Sequence, residues 1–354
     1  MGRCTKIMAR DVGRSSMRSG GSKPGWLKKA DTVKPPWEPE HSLFFLAILL
    51  AVVLTAAFFF SPAHAGQSGS AESPSEGNLS APVDAGGAET ASTILRRETE
   101  EKKAADSAFA VTLYRQNYIL FVTYDSDPNR ETYEFANVDA PENFEVKFQL
   151  SLKILLWEKM FGNKNGNLYF GYTQRSFWQL YDKALSSPFR ETNYEPEMFV
   201  RFNTDFTLLG LKHRFVSVGL NHQSNGRGRP LSRSWNRIYA EIVAERGNLV
   251  VSLKPWFRIP ENERDDDNPD IEKYLGYGEV TAAYGLRGHV FSLLFRNNLR
   301  GRRNRGAVEL GWSFPVTHNL RGYVQYFNGY GESLVDYNDA SNRIGIGVML
   351  SDYI

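Results

Sequence analysis

The sequence predicts an all-β fold, a twelve-stranded antiparallel transmembrane β-barrel over residues 111–354, preceded by an N-terminal signal peptide over 1–65 and a flexible periplasmic tether over 66–110. Three observations carry this expectation. From residue 111 onward apolar and polar residues alternate, in runs mostly longer than the roughly 9 to 11 residues that a tilted strand needs to cross a bilayer. Long and short connections alternate between those runs, as they do in barrels with loops on one side and turns on the other. An apolar stretch ending in an A-x-A pattern precedes the alternating region. A soluble β-sandwich also alternates, but it does not require all three together.

Taken from the N-terminus, residues 1–40 carry nine Lys/Arg and four Asp/Glu, a net +5 in a chain of net +2. The remainder is therefore slightly acidic, which excludes a basic patch for nucleic acid. Leu43 to Phe60 is apolar but for Thr55, and it runs into Ser61, Pro62, Ala63, His64 and Ala65. The Ala63/Ala65 pair marks a cleavage site before Gly66. An uncleaved anchor helix is the alternative, since the stretch is just long enough to span a bilayer. The segment before it is long for a leader, so Met17 stands beside Met1 as a candidate start. Residues 66–107 are rich in Gly, Ser, Ala and Glu and nearly free of aromatics, a composition that cannot bury a core. The single cysteine, Cys4, leaves the rest of the chain without disulfides, Cys-based zinc sites or a thiol nucleophile.

Strands are expected near 117–124, at 146–157, and at 167–180, 194–208, 212–224, 233–245, 247–259, 272–286, 288–299, 305–315, 319–330 and 342–352. VKFQLSLKILLW, residues 146–157, is the clearest, with Val146, Phe148, Leu150, Leu152, Ile154 and Leu156 on one face. The even count suits a bacterial outer-membrane barrel. Aromatics at 13%, 30 glycines and a mean hydropathy of −0.41 fit a β-rich chain and are too polar for a bundle of membrane helices. Long connections fall at 125–143, 181–193, 225–232, 260–271 and 331–341, and short ones near Gly210, Gly247, Gly288 and His318. The inner register holds Lys147, Lys153, Arg201, Asp205, Arg237 and Glu241, which should fill the lumen with ion pairs and leave no wide pore.

The segment GLNHQSNGRGRPLSRSWNRIY, residues 219–239, sets polar residues on the oily face. Val216, Val218 and Leu220 continue into His222 and Ser224, while Ile238, Ala240, Ile242 and Ala244, read backwards, reach Asn236. His222 and Ser224 lie two apart on one strand face, about 6.6 Å along the backbone. A serine needs a base to become a nucleophile, and the base needs a third group to fix its tautomer. Ser224, His222 and Asn236 can fill those roles. Asparagine suits the place, because an isolated carboxylate beside hydrocarbon carries a heavy desolvation cost. His-x-Ser alone is weak; the shared outward register of three residues is the signal.

Through VKFQLSL, YTQRSFWQL, SSPFRETNYEPEMF, NHQSNGR, SRSWNRIY, DDNPDI, GYGESLVDYN and GIGVML the chain resembles the outer-membrane phospholipase A family of Gram-negative bacteria, over about residues 111–354. The resemblance implies a barrel whose homodimer hydrolyses acyl esters of phospholipids and lysophospholipids with calcium at the cell-surface side of the outer membrane. It implies Ser224 as nucleophile, His222 as base, Asn236 as its orienter and the Gly226 backbone N–H in the oxyanion hole. It implies calcium held by the Ser232 hydroxyl, the Arg227 carbonyl and, from the partner subunit, Ser186. These calcium ligands have no signal of their own in the residue pattern. Arg229 stands where some relatives carry an acidic residue, which counts against an additional calcium site near Asp267.

Gln174 lies in the outward register Leu168, Phe170, Tyr172, Gln174, Ser176, Trp178, where hydrocarbon is expected. An unpaired amide there is costly, and a second barrel could pair with it across a twofold axis. The resemblance, to a family that dimerises through this strand, favours that role over bonding to its own neighbours. The competing function is a passive outer-membrane channel or structural barrel, in which the polar cluster belongs to the interfacial girdle. Calcium-dependent fatty-acid release separates the two.

Overall fold

The computed structural model describes Ile94 and residues 111–162, 165–183, 186–317 and 320–353. The expected signal peptide and, apart from Ile94, the expected tether lie outside the described residues. Ile94 itself is buried against Phe215, Val243 and Val250, and its backbone N–H faces Glu245 Oε2 at 3.4 Å. The packed region therefore reaches back to this residue of the stretch assigned to a tether.

Strands β1 (Val111–Leu113) and β2 (Asn117–Asp125) open the described barrel. There follow β3 (Phe144–Trp157), β4 (Asn167–Trp178), β5 (Phe189–Leu208), β6 (Leu211–Ser224), β7 (Ser234–Arg246) and β8 (Leu249–Ile259). The circle is completed by β9 (Gly278–Leu286), β10 (His289–Asn297), β11 (Gly306–Pro315), β12 (Arg321–Tyr330) and β13 (Ala340–Ser351). Each of the twelve from β2 to β13 pairs antiparallel with its sequence neighbours, and β13 pairs with β2, so these twelve close into a ring. The short β1 continues the line of β2 along β3, with Val111 opposite Ile154.

Local chemistry explains the alternation of connections. At the short-turn end Leu209 and Gly210 both take positive φ, as do Arg287 and Gly288, the conformation of a two-residue hairpin turn whose twist matches the flanking strands. The turn expected near His318 falls partly outside the described residues. At the opposite, long-loop end lie two short helices, α1 (Glu131–Phe135) and α2 (Glu272–Leu275). The second corrects the expected strand 272–286: residues 272–275 form a helical turn and the strand begins at Gly278, because Leu275 is buried in the cluster at the barrel mouth with Tyr274 packed against it. Leu275, Leu334 and Tyr337 from the loops join Trp235, Tyr239 and Trp256 from the wall in one buried cluster.

The outer face is apolar, with Leu150, Leu220, Leu253, Phe291, Phe295, Leu310, Ile344 and Ile346 all exposed. The interior is ionic. Lys147, fully buried, donates to Gln325 Oε1 at 2.7 Å and to Glu332 Oε1 at 2.8 Å. Arg343 bridges Asp125, Glu145 and Glu332 at 2.6 to 2.8 Å, and Arg190 clasps Glu145 at 2.9 Å. Breaking such a pair from one side costs about 3–5 kcal/mol, since it strands a charge in a dry place. Lys153, Arg201 and Arg237 are buried as expected, and Glu241 accepts a hydrogen bond from Ser252 at 2.8 Å. Asp205 is a correction. Between Asn203 and Phe206 two residues of β5 oppose one of β6, a bulge that breaks the alternation, and Asp205 ends exposed at the turn end, paired to Lys212 at 3.0 Å.

Candidate active site

The β6–β7 hairpin sets His222 directly opposite Asn236, and Ser224 opposite Ser234. Because facing residues of an antiparallel pair share a side, the outward register of both strands makes His222 and Asn236 meet. His222 Nδ1 lies 2.8 Å from Asn236 Oδ1. An amide oxygen only accepts, so Nδ1 is the donor, which in the neutral ring leaves Nε2 free to accept. Ser224 lies two residues beyond His222 on the same face, at the long-loop end of β6. Among the described hydrogen bonds none joins its hydroxyl to the imidazole; such contacts commonly close only with substrate in place.

The Asn236 amide is held at its other end as well. Its Nδ2 donates to Glu261 Oε1 at 3.0 Å, from the loop that follows β8. Burial pushes the Glu261 carboxyl above its ordinary range, while Arg258 draws it back.

The loop between β6 and β7 is organised by Asn225, which is buried. Its Nδ2 donates to the Leu231 carbonyl at 2.8 Å, and its Oδ1 accepts from the backbone N–H of Arg233 at 3.0 Å and of Arg227 at 3.3 Å. The loop is thus closed around one amide. Gly226 follows with φ +65°, and an added Cβ would press on the Tyr194 ring at 3.3 Å. Both the positive φ and the close ring call for glycine. Among the described hydrogen bonds of this loop its N–H donates to no protein group, so it is available to an incoming oxygen.

The residues expected around calcium are placed as follows. Ser232 donates its hydroxyl hydrogen to Asp267 Oδ2, which leaves its oxygen lone pairs for a cation. Arg227 turns its side chain back to the start of β5, onto the Arg190 carbonyl and Glu191, and its own carbonyl accepts no hydrogen bond among the described residues. Ser186 lies exposed on the β4–β5 loop, at the same end of the barrel, with φ +58°. A hydroxyl and a backbone carbonyl are hard, neutral oxygens, a donor chemistry that fits calcium when water fills the remaining positions. Among the described residues no cluster of His, Cys, Asp or Glu suits a metal. Asp267 is already matched to Arg229 Nε at 2.7 Å and to Ser232, and these contacts, with Arg233 nearby, outweigh its desolvation and hold its carboxyl below the ordinary range. The Arg229 guanidinium thus already neutralises Asp267.

Gln174 faces outward on β4, and within its own barrel it accepts from the Tyr172 hydroxyl at 3.0 Å and donates to Ser176 Oγ at 3.1 Å. The amide is therefore not stranded in the monomer, and it keeps one N–H and a lone pair for a further partner.

Glu261 and Asn225 escaped the sequence. Both act from loops on strand residues, and strand register ranks only neighbours within the wall. The one available signal for Asn225 was its place between Ser224 and a glycine.

The Phospholipase A1 family model matches residues 94–350, beginning at the buried Ile94. Phospholipase A1 of Escherichia coli (strain K12) is 46% identical over 250 residues, which span 70% of this chain and 83% of that protein. Phospholipase A1 of Proteus vulgaris is 44% identical over 248 residues, 70% of this chain and 83% of that protein. Among solved structures, outer membrane phospholipase A from Escherichia coli superposes with a TM-score of 0.65 at 44% identity, over 70% of this chain and 100% of that one. The Salmonella typhi outer membrane phospholipase dimer with bound calcium gives 0.66 at 43%, over 72% and 98%. The filled lumen had already counted against a channel, and the matches run the length of the wall that carries His222 and Asn236: the chain belongs to the phospholipase A1 family of outer-membrane barrel enzymes.

Proposed function

We propose that the chain is a calcium-dependent phospholipase A1/A2 that hydrolyses acyl esters of phospholipids and lysophospholipids at the cell-surface side of the outer membrane, active as a homodimer, with Ser224, His222 and Asn236 as its triad. The observation that carries this is the 2.8 Å contact between His222 Nδ1 and Asn236 Oδ1 on the face turned towards lipid.

Lipid reaches the site by moving in the membrane plane. Ser224 Oγ attacks the ester carbonyl carbon as His222 Nε2 takes its proton, and Asn236 Oδ1 holds the Nδ1–H of the imidazolium. The carbonyl oxygen becomes an oxyanion and accepts from the Gly226 N–H, a type of donor worth about 3–4 kcal/mol of barrier. On collapse His222 returns the proton to the departing alkoxide, releasing the lysophospholipid and leaving an acyl-serine. Water, deprotonated by His222, then attacks the acyl carbon, the bond to Ser224 Oγ breaks as His222 returns the proton to that oxygen, and the fatty acid is released. Ser232, Arg227 and the partner's Ser186 would hold calcium, which when bound supplies positive charge beside the developing oxyanion. The dimeric, calcium-bound relative supports that part, as does the exposure of Ser186, which leaves it open to a second barrel.

Fatty-acid release with and without calcium tests the proposal in one experiment. Ser224→Ala should lower kcat by at least about 10³-fold in a barrel that still folds, since this rim hydroxyl supports no core packing. Near-normal turnover in the folded variant would remove Ser224 from the chemistry.

A further inference from the structure

The triad assigned above ends in an amide, and an amide is nearly symmetric in shape. Turned over, Asn236 would present its NH₂ to His222 Nδ1. The imidazole would then carry its proton on Nε2, the nitrogen that has to be bare to accept the serine proton. Nothing in Asn236 itself prevents this. Its neighbour does. Glu261 Oε1 lies 3.0 Å from Asn236 Nδ2, and a carboxylate can only accept. With the NH₂ committed to Glu261, the Oδ1 end is left facing the ring at 2.8 Å.

The placement follows from the wall. Asn236 pairs with Ile259, the last residue of β8, so the chain leaving that strand passes over the amide two residues later. The charged groups facing Glu261 are Arg258, which is ion-paired to Asp266 at 2.8 Å, Asp266 itself, and His222. A carboxylate at this position sits one hydrogen bond further from the ring than the aspartate of a Ser-His-Asp triad. It lies in the loop rather than on the lipid face, where its desolvation would cost most. It also polarises the amide, making Oδ1 a stronger acceptor for the imidazolium that forms during reaction.

We propose that Glu261 is a positioning residue for the hydrolysis: by accepting from Asn236 Nδ2 it fixes the amide with Oδ1 on His222 and holds the imidazole in the tautomer that can take the Ser224 proton. This rests on the Ser224, His222 and Asn236 assignment.

The test uses the full chain as the calcium-loaded dimer in mixed micelles of detergent and phospholipid, reading kcat and KM separately. Glu261→Ala should lower kcat about tenfold with KM unchanged, and Glu261→Gln should fall between it and the parent, because glutamine can still accept but no longer only accepts. The decisive comparison is made in an Asn236→Asp background. There the Glu261 carboxylate faces a second carboxylate, so Glu261→Gln should raise kcat, the reverse of its effect in the parent; a mere brace for the loop would lower kcat in both. In ¹⁵N spectra of the labelled imidazole, Glu261→Ala should move His222 towards the Nε2–H tautomer. Unchanged kcat in Glu261→Ala, beside a clear loss in Asn236→Ala, would overturn this proposal and leave the triad standing. Unchanged kcat in Asn236→Ala would overturn the triad instead. Should Glu261→Ala fail to fold, the sign of the Glu261→Gln effect in the two backgrounds decides alone.

Discussion

Asn225→Ala should cripple the enzyme without touching the barrel. The Asn225 side chain makes two near-ideal hydrogen bonds, to the Leu231 carbonyl at 2.8 Å and from Arg233 N–H at 3.0 Å. Two longer ones run from Arg227 N–H at 3.3 Å and to Glu191 Oε2 at 3.4 Å. At a net value near 1 kcal/mol each, with the longer pair counting for less and the abandoned groups partly buried, their loss costs about 2–4 kcal/mol. That cost falls on the loop, since none of the four belongs to the backbone ladder between strands. What remains, chiefly Asn225 N–H to the Arg233 carbonyl at 3.1 Å and the Arg229–Asp267 pair, keeps the loop attached but not fixed. Gly226 would then sample positions away from the oxyanion, so kcat/KM should fall about 10- to 100-fold. The calcium concentration for half-maximal activity should rise, because Arg227 and Ser232, proposed above to hold calcium, belong to the same loop. Fatty-acid release across a calcium titration reads both, and hydrogen exchange should show loss of protection confined to residues 225–233. Asn225→Asp should be no better, because it loses the donors and faces the Glu191 carboxylate. Parental turnover with parental protection in this loop would refute the reasoning.

Three further outcomes are expected. Asn236→Ala should weaken catalysis less than Ser224→Ala or His222→Ala, since an unoriented imidazole still acts as base part of the time; an Asn236 variant as inactive as Ser224→Ala, yet folded, would mean a different role. Gln174→Ala should weaken the calcium-loaded dimer by about 1 kcal/mol and lower activity most at dilute protein; unchanged sedimentation would remove Gln174 from the interface. Glu272, in the loop helix α2, has its carboxyl pushed up to about 7 by burial, against the pull of Arg258 and Arg300. Its folded value lies above its unfolded one, so the fold favours the protonated form. Stability should fall as pH rises from about 4.5 to 7 and stay low above that. Glu272→Gln should therefore stabilise the loop at pH 8 by about 1–3 kcal/mol and have little effect near pH 4, as read by exchange at 271–276.

Period-two alternation located the wall because lipid and lumen impose opposite chemistry on successive residues, and that demand is local. It put His222 and Asn236 on the same outward face for the same reason, and the hairpin register then set them opposite each other. It failed where the demand was not local. The inward expectation for Asp205 fails because the bulge beside it leaves no trace in polarity, and the strand expected from 272 begins late because residues 272–275 form a helical turn at the mouth. Glu261 was illegible altogether: its meaning depends on a crossing between the chain after β8 and a residue of β7, and a loop carboxylate reads as solvated until that crossing is known. The neutral oxygens expected around calcium belong with it, since a hydroxyl and a carbonyl carry no pattern and only the family resemblance singled them out.

His222 and Asn236 meet on the outside of a wall whose inside is filled with ion pairs. An enzyme built this way does not sample its substrate from a volume. What fixes its occupancy is the fraction of the surrounding film that is ester-bearing lipid, a two-dimensional composition. Adding inert detergent to mixed micelles at constant total phospholipid should therefore slow the reaction, whereas adding more micelles of the same composition should leave the rate per enzyme unchanged once every barrel is embedded.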